Sequence, residues 1–326
     1  MGSRCASVSW RGLLIGTPMG LGALGIGFWA QALMPGSSTL NGPLLEAMLA
    51  SPPPHAAPKA SAQEDLRGVA AERSGGRSTS LALAEPSRGQ PLNLEIRVAI
   101  ARDVPQLHLS ATGPWWLRRR DGTVLRQGRA GESIALSSGA TLEPELWLET
   151  LPGQAVSLDG AAYAGRLRVL QQSDGLLVVN HLPLETYVAS VVGAEMPSSW
   201  GLEALKAQAV AARSYALAHM ARPASQHWHL GNSTRWQAYR GMASSHARTR
   251  QAAADTAGLI LSYQGGIVES LYAATSEISL EAHGHLGASM SQHGAQDLAS
   301  RGLRYNEILG QYYRGASLAR LRQGPS

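Results

Sequence analysis

The sequence predicts an α+β protein: a small β-rich region, then a two-helix corner, then a mixed strand and helix part. Three observations predict this. Short runs of alternating apolar and polar residues begin at Leu92 and recur as far as Leu182. Leu182–Leu217 switches to helical period. Strand-like runs then return over Leu259–Ala273, followed by two short helical segments. Strands and helices that are segregated along the chain, rather than strictly alternating, give α+β and not a doubly wound sheet.

Before the first strand the chain has a different character. Arg4 and Arg11 precede Leu13–Met34, an apolar run without a charge. About 20 such residues are enough to cross a bilayer. Ala30-Gln31-Ala32 also fits a small-x-small cleavage site, so residues 1–35 read either as a membrane anchor or as a signal peptide. In both cases the rest of the chain is expected to be exported. Residues 36–91 are rich in Pro, Ala, Ser and Gly and short of large apolar side chains, the composition of a disordered tether. Ser51–Pro58 favours polyproline geometry.

The β region is expected at Leu92–Ala101, Gln106–Ala111, Trp115–Arg120, Glu145–Thr150, Gly165–Gln172 and Leu176–Leu182, with turn signals such as Asp121-Gly122 between them. The corner follows. Pro183 suits a first helical position, Leu184, Val188 and Val191 repeat at helical spacing, and Gly193 reads as the helix stop. Pro197 blocks continuation, and Ser198 or Ser199 can cap a second helix. In that helix Leu202, Leu205, Ala209, Ala212 and Ala216 form one apolar stripe, with Lys206 and Arg213 together on a face beside it. Glu195 falls at the corner, with Lys206, Gln208 and Arg213 close by in sequence. Beyond the corner, strands are expected at Leu259–Tyr263 and Ile267–Ala273, split at Gly265-Gly266, then helices around Ala295–Ser300 and Tyr305–Tyr313.

GAEMP (Gly193–Pro197) followed by LEALKAQAVAARSYA resembles the signature of the stage II sporulation protein D family. STRWQAYRG (Ser233–Gly241), Ala253–Ser276 and Met290–Gly315 resemble that family's later blocks, in the same order. The resemblance implies a single domain of that type over residues 92–318, with 319–326 as a tail. It implies a lytic transglycosylase acting on peptidoglycan glycan strands, without a cofactor. Such an enzyme uses one carboxyl group twice. It first protonates the leaving oxygen, then takes the proton of the C6 hydroxyl that closes a 1,6-anhydro ring. Glycosidases that use water need two carboxyls; the matching motif offers Glu195 alone.

An acid of this kind must stay protonated, which an apolar pocket favours and nearby cations oppose. Lys206 and Arg213 are expected to meet the lactyl carboxylate of muramic acid or sugar oxygens. A helix-packing salt bridge is the equal alternative for Arg213. Tyr239 and Arg240 of the YRG block would line a saccharide groove, with Gln208, Ser276, His285 and Gln292 as further substrate contacts. Trp200 and Tyr272 are lesser candidates.

Two departures from the family pattern stand out. Glu277 and Ile278 follow Ser276 where a Gly-Gly pair and a long insertion are usual, and His285 to Met290 is one residue longer than the common spacing. The shortened segment favours a second reading, a non-catalytic glycan binder that activates a cell-wall amidase. Composition removes other classes. The net charge is +5, but Lys59 and Lys206 are the only lysines and no basic run is interleaved with aromatics, so nucleic acid is not an expected partner. Cys5 is the only cysteine and precedes the apolar run. His227-Trp228-His229 and His283-Gly284-His285 have zinc-like spacing without a third ligand of matching type nearby, so no metal is expected. A zinc hydrolase is the third and weakest reading. The remaining expected partners are glycan strands, an amidase, and the membrane if the N-terminal segment is uncleaved.

Overall fold

The computed structural model describes residues 81–89, 92–139, 143–275 and 289–321. The expected apolar N-terminal segment and most of the tether lie outside them. Among the described residues no helix is long and apolar enough to cross a membrane.

Among the described residues ten strands precede the first helix: β1 (Glu95–Val104), β2 (Gln106–Ala111), β3 (Trp115–Arg119), β4 (Val124–Gly128), β5 (Ile134–Ser137), β6 (Glu145–Thr150), β7 (Val156–Leu158), β8 (Ala161–Tyr163), β9 (Arg166–Gln172) and β10 (Gly175–Pro183). The short β4, β5, β7 and β8 were not expected from the sequence. β4 is almost wholly exposed and β8 has three residues, so neither carries a readable alternation. With β11 (Leu230–Gly231) they form a seven-stranded sheet, β11-β1-β10-β9-β6-β3-β4, and a four-stranded sheet, β5-β2-β7-β8. Inward residues of both sheets, among them Val98, Leu109, Trp115, Leu148, Val156 and Leu167, join one buried cluster. β10 pairs with β1 on one side and β9 on the other and is buried along eight of its nine residues. Its second face is covered too: Leu177 and Val179 join Ala99 and Leu170 under Trp228.

β10 runs straight into α1 (Leu184–Glu195), with Pro183 as N-cap and the Leu184 N–H donating to Leu94 O. α2 (Leu202–Ala221) follows. It departs from the expected amphipathic helix, because Ala204, Ala207, Ala211 and Ala218 are buried as well as Leu205, Ala209, Ala212 and Ala216 of the predicted stripe, whose Leu202 is partly buried. A helix apolar on all sides belongs in a core. Small side chains let α1, α3 (Ala247–Asp255), α4 (Gln292–Ser300), α5 (Tyr305–Tyr312) and β12 (Leu259–Tyr263) pack around it. The expected Ser198 or Ser199 cap is not formed. Gly201 is the N-cap, and its N–H donates to Gln296 Oε1 at 2.8 Å.

β12 sits between β13 (Gly266–Ile267) and β16 (Ser317–Arg320). β14 (Leu271–Ala273) pairs in parallel with β15 (Ser289–Ser291). The pairing of β16 with β12 reaches Arg320, across the boundary expected at 318. At the other end, residues 81–89 lie against α5 and β16 although their composition reads as tether. The Leu83 N–H donates to Asn306 O at 3.1 Å, Asn306 Nδ2 donates to Leu83 O at 3.0 Å, Glu85 pairs with Arg304, and Arg320 Nε donates to Ser87 O.

Candidate active site

Glu195 is the last residue of α1. The expected stop at Gly193 is two residues early. Gly193 is helical, and a Cβ there would lie 1.9 Å from Ser244 O in the 3-10 turn Gly241–Ser244, so the glycine serves close packing. Pro197 and an extended Met196 end the helix. The half-buried Glu195 carboxylate has two donors: Ala238 N–H reaches Oε1 at 2.8 Å, and Gln292 Nε2 reaches Oε2 at 3.3 Å.

Burial pushes the Glu195 pKa above the ordinary carboxyl range; the two hydrogen bonds and the Arg240 charge pull the other way and do not overcome it. The negative end of the α1 dipole acts in the same direction as burial. Three tyrosines, Tyr187, Tyr215 and Tyr272, have raised pKa values, first through burial and further through the nearby Glu195 charge. Three neutral phenols thus feel the Glu195 charge, and one cation's charge, that of Arg240, reaches the carboxyl.

Ala238 is aimed by its neighbours. Gln237 is fully buried; its Oε1 accepts from Tyr187 OH at 2.9 Å, and its Nε2 donates to Ala212 O at 3.1 Å and Tyr272 OH at 2.8 Å. Tyr239 is buried, its hydroxyl donates to Asn180 Oδ1 at 2.6 Å, and its ring packs 5.1 Å from Tyr187 and 6.0 Å from Tyr163. The ring thus anchors the loop in the core instead of presenting a face to solvent. Gly241 has φ +59°, and a Cβ there would meet Ala162 O at 2.4 Å. In the YRG block, Tyr239 and Gly241 fix the backbone, while Arg240 stays exposed.

The other cations are held elsewhere. Arg213 is fully buried, and Glu185 takes its Nε and Nη2 at 2.9 and 2.6 Å. Its remaining N–H groups go to the carbonyls of Ala209, Leu259 and Ala253. All five guanidinium donors are engaged, so its position is that of the helix-packing alternative. Lys206 is paired with Glu203 at 2.9 Å and Asp255 at 3.2 Å. Gln208 is fully buried, and neither side-chain polar atom has a hydrogen-bond partner. Ser276 and His285, like His283, fall outside the described residues. Among the sequence-predicted site residues, the structure brings Glu195, Gln292 and Arg240 together.

Gln292 gets there because parallel pairing of β14 and β15 sets Ala273 against Ser291, and α4 starts at the next residue with Ser291 Oγ capping Gly294 N–H at 3.0 Å. Sequence reasoning missed Gln237 and the Ala238 N–H. Gln237 lies inside the singled-out STRWQAYRG block, but a backbone donor has no residue signature.

A groove of about 550 Å³ at the opposite end of α1 is lined by Glu95, Arg166, His181, Thr186 and Met242 and does not include Glu195. Its charged groups satisfy one another: His181 Nδ1 lies 2.9 Å from Glu95, and Arg166 pairs with Glu95 and Glu149. His229 turns both ring nitrogens toward Arg97 donors, at 3.1 and 3.0 Å, and burial with the Arg97 charge lowers its pKa to about 3. Among the described residues no group of three or more His, Cys, Asp or Glu is placed to hold a metal ion.

Residues 172–263 match the family model described as Stage II sporulation protein (SpoIID). They contain α1, α2, the Gln237–Gly241 loop and Glu195. An uncharacterised protein of Brachyspira hyodysenteriae is 37% identical over 119 residues, which cover 36% of this chain and 32% of that protein. The amidase enhancer of Bacillus subtilis is 33% identical over 136 residues, 41% of this chain and 18% of the enhancer. Stage II sporulation protein D of Bacillus subtilis is 32% identical over 113 residues, 30% of this chain and 33% of that protein. The chain thus spans a third or less of the length of these relatives.

Proposed function

From a chain that carries a SpoIID-family domain, we propose an exported cell-wall protein whose Glu195 cleaves denuded glycan strands as a lytic transglycosylase. The protonated carboxyl gives its proton to the oxygen between N-acetylmuramic acid and N-acetylglucosamine. The C1–O bond breaks, and its electron pair stays with the leaving sugar. The carboxylate then removes the proton of the muramic C6 hydroxyl, whose oxygen closes on C1. Water is not consumed, and the carboxyl ends protonated, ready for the next bond.

The observation that carries this reading is a single half-buried carboxyl with a raised pKa, held between the Ala238 N–H and Gln292. Those contacts fix its direction, and burial still leaves its pKa raised, the shift a recycled acid requires. Mass spectrometry of strands digested by the purified protein tests the reading: 1,6-anhydromuramic ends are expected, and reducing ends alone would mean hydrolysis. For export, a reporter fused after Ser326 should be active only outside the cytoplasm.

A second reading, glycan binding that activates a cell-wall amidase, is favoured by the similarity to an amidase enhancer. It replaces the first if wild type and Glu195→Gln both bind strands, neither cuts them, and both raise the rate of an added amidase.

A further inference from the structure

Resting on that glycan reading, we propose that the two flanks of Glu195 read different sugars. Arg240 takes the lactyl carboxylate of N-acetylmuramic acid, and the Trp200–His293 ring pair takes the neutral N-acetylglucosamine across the scissile bond. The two sugars differ by this carboxylate, so a site that orients the strand needs one cation and one uncharged surface.

Two cations of the corner are already engaged. Arg213 has every donor engaged inside the core, and Lys206 is bound by two carboxylates. Arg240 is exposed and has no ion pair or hydrogen bond among the described residues. It follows Ala238, the Glu195 donor, by two positions, between an anchored Tyr239 and a turn at Gly241. Its backbone is therefore fixed while its guanidinium stays available, and a guanidinium can take a carboxylate through two parallel hydrogen bonds.

The other flank is built from the second Glu195 donor. His293 follows Gln292, is exposed, and has its N–H tied to Ala274 O at 3.0 Å. Its ring lies 4.9 Å from that of Trp200 at 64°. The loop bearing Trp200 is braced by Arg248, which donates to Ser198 O at 2.9 Å and Trp200 O at 2.7 Å, and by the bond from Gly201 to Gln296. Two braced rings offer apolar area with little entropy left to lose, which suits the C–H face of a pyranose. Arg248, the cation that braces this loop, is exposed and pairs with no carboxylate among the described residues, but it spends two of its donors on the Ser198 and Trp200 carbonyls.

The arrangement also ties substrate identity to the acid. The Arg240 charge lowers the Glu195 pKa. A lactyl carboxylate docked on Arg240 cancels that charge, so Glu195 holds its proton best when a muramic residue is in place.

The test measures binding of two probes to the full chain in detergent, in a Glu195→Gln background that prevents cleavage. One probe is a denuded GlcNAc–MurNAc strand; the other is a chitooligosaccharide of the same length, which has no lactyl group. The parent should prefer the strand. Arg240→Ala should weaken strand binding at least about tenfold and leave the chitooligosaccharide unchanged, with Arg240→Lys recovering part of the loss. Trp200→Ala should weaken both probes alike. The exposed His293→Ala should do so in smaller measure, which keeps the test sound if Trp200→Ala fails to fold. Equal loss for both probes with Arg240→Ala, or no loss, overturns the assignment of the cation. Unchanged chitooligosaccharide binding in both ring variants overturns the assignment of the rings. A parent that binds neither probe removes the glycan reading itself and this proposal with it.

Discussion

Glu195 and Arg213 are both charged residues of the corner, and their surroundings give them opposite tasks. Glu195 is half-buried and its pKa is raised from the ordinary value of 4.5. A carboxyl raised in the fold contributes stability that is fully present below about 4.5 and is lost as pH rises through the raised value. Glu195→Gln keeps an acceptor for Ala238 N–H and removes the ionisation. The variant should fold, and its stability should fall less than wild type between pH 4 and 7 in denaturant titrations. Strand cleavage should drop by about 10²–10⁴-fold, the usual share of general acid–base catalysis. In wild type the same proton sets the alkaline limb of kcat/KM, since the acid is spent once it ionises. Arg213 is instead a structural ion. Arg213→Ala removes the partner of Glu185 and three carbonyl contacts in the core. A loss of about 3 kcal/mol is expected in urea unfolding, the low end for a broken buried pair because Glu185 can still hydrate. If Arg213→Ala were as stable as wild type, the buried pair would not have the role assigned to it.

At the scale of elements, the contact that matters is α1 on the Gly241–Ser244 turn. Ser190 Oγ donates to Gly241 O at 2.7 Å and meets Ser244 Oγ at 3.0 Å, and one helical turn on, Gly193 makes room for Ser244 O. The turn follows directly on the loop that aims Ala238 at Glu195. Gly193→Ala would put a methyl group where backbone oxygen now sits, and neither partner is the end of a flexible side chain. Overpacking of this kind costs about 1–3 kcal/mol. Cleavage should fall more than stability alone explains, because the loop shifts with the turn. The check is kcat measured well below the variant's melting temperature, where a normal value would show that the turn does not set the donor.

Across the whole domain, residues 81–89 tie the end of the tether to α5 and β16. Leu81 O packs so closely on Gly310 that a Cβ there would lie 1.8 Å away, and Leu83 exchanges two hydrogen bonds with Asn306. A chain shortened to begin at Leu92 should lose about 1–3 kcal/mol, given about 1 kcal/mol per hydrogen bond and the core surface that Leu83 no longer covers. For a domain of this size the melting temperature should fall by several degrees, roughly 2–4 °C per kcal/mol. An unchanged melting temperature would return these residues to the tether. The same strap lies on α5, which packs with α4, and α4 begins with Gln292.

Much was legible in the sequence because it is local physics. Gln106–Ala111, Glu145–Thr150 and Leu259–Tyr263 alternate or carry β-branched residues strongly enough to place strands residue for residue. Pro197 fixes where α1 can no longer run, and therefore that Glu195 stands at a corner. The family resemblance of the corner and its blocks is carried by residues in a row, and the family model matches there. The helix end at Gly193 was misplaced because a glycine's composition does not say whether it stops a helix or lets another backbone approach. Only the tertiary structure decided which polar groups meet. Lys206 and Arg213 share a helix with Gln208, but α2 is packed by other elements, so Arg213 meets Glu185 and carbonyls in the core and Lys206 meets Glu203 and Asp255 nearer the surface. Gln292 lies 97 residues from Glu195, and parallel pairing of β14 with β15 brings it there. The spacing of residue types along a chain encodes faces and turns; which face is covered, and by what, depends on elements far away in sequence.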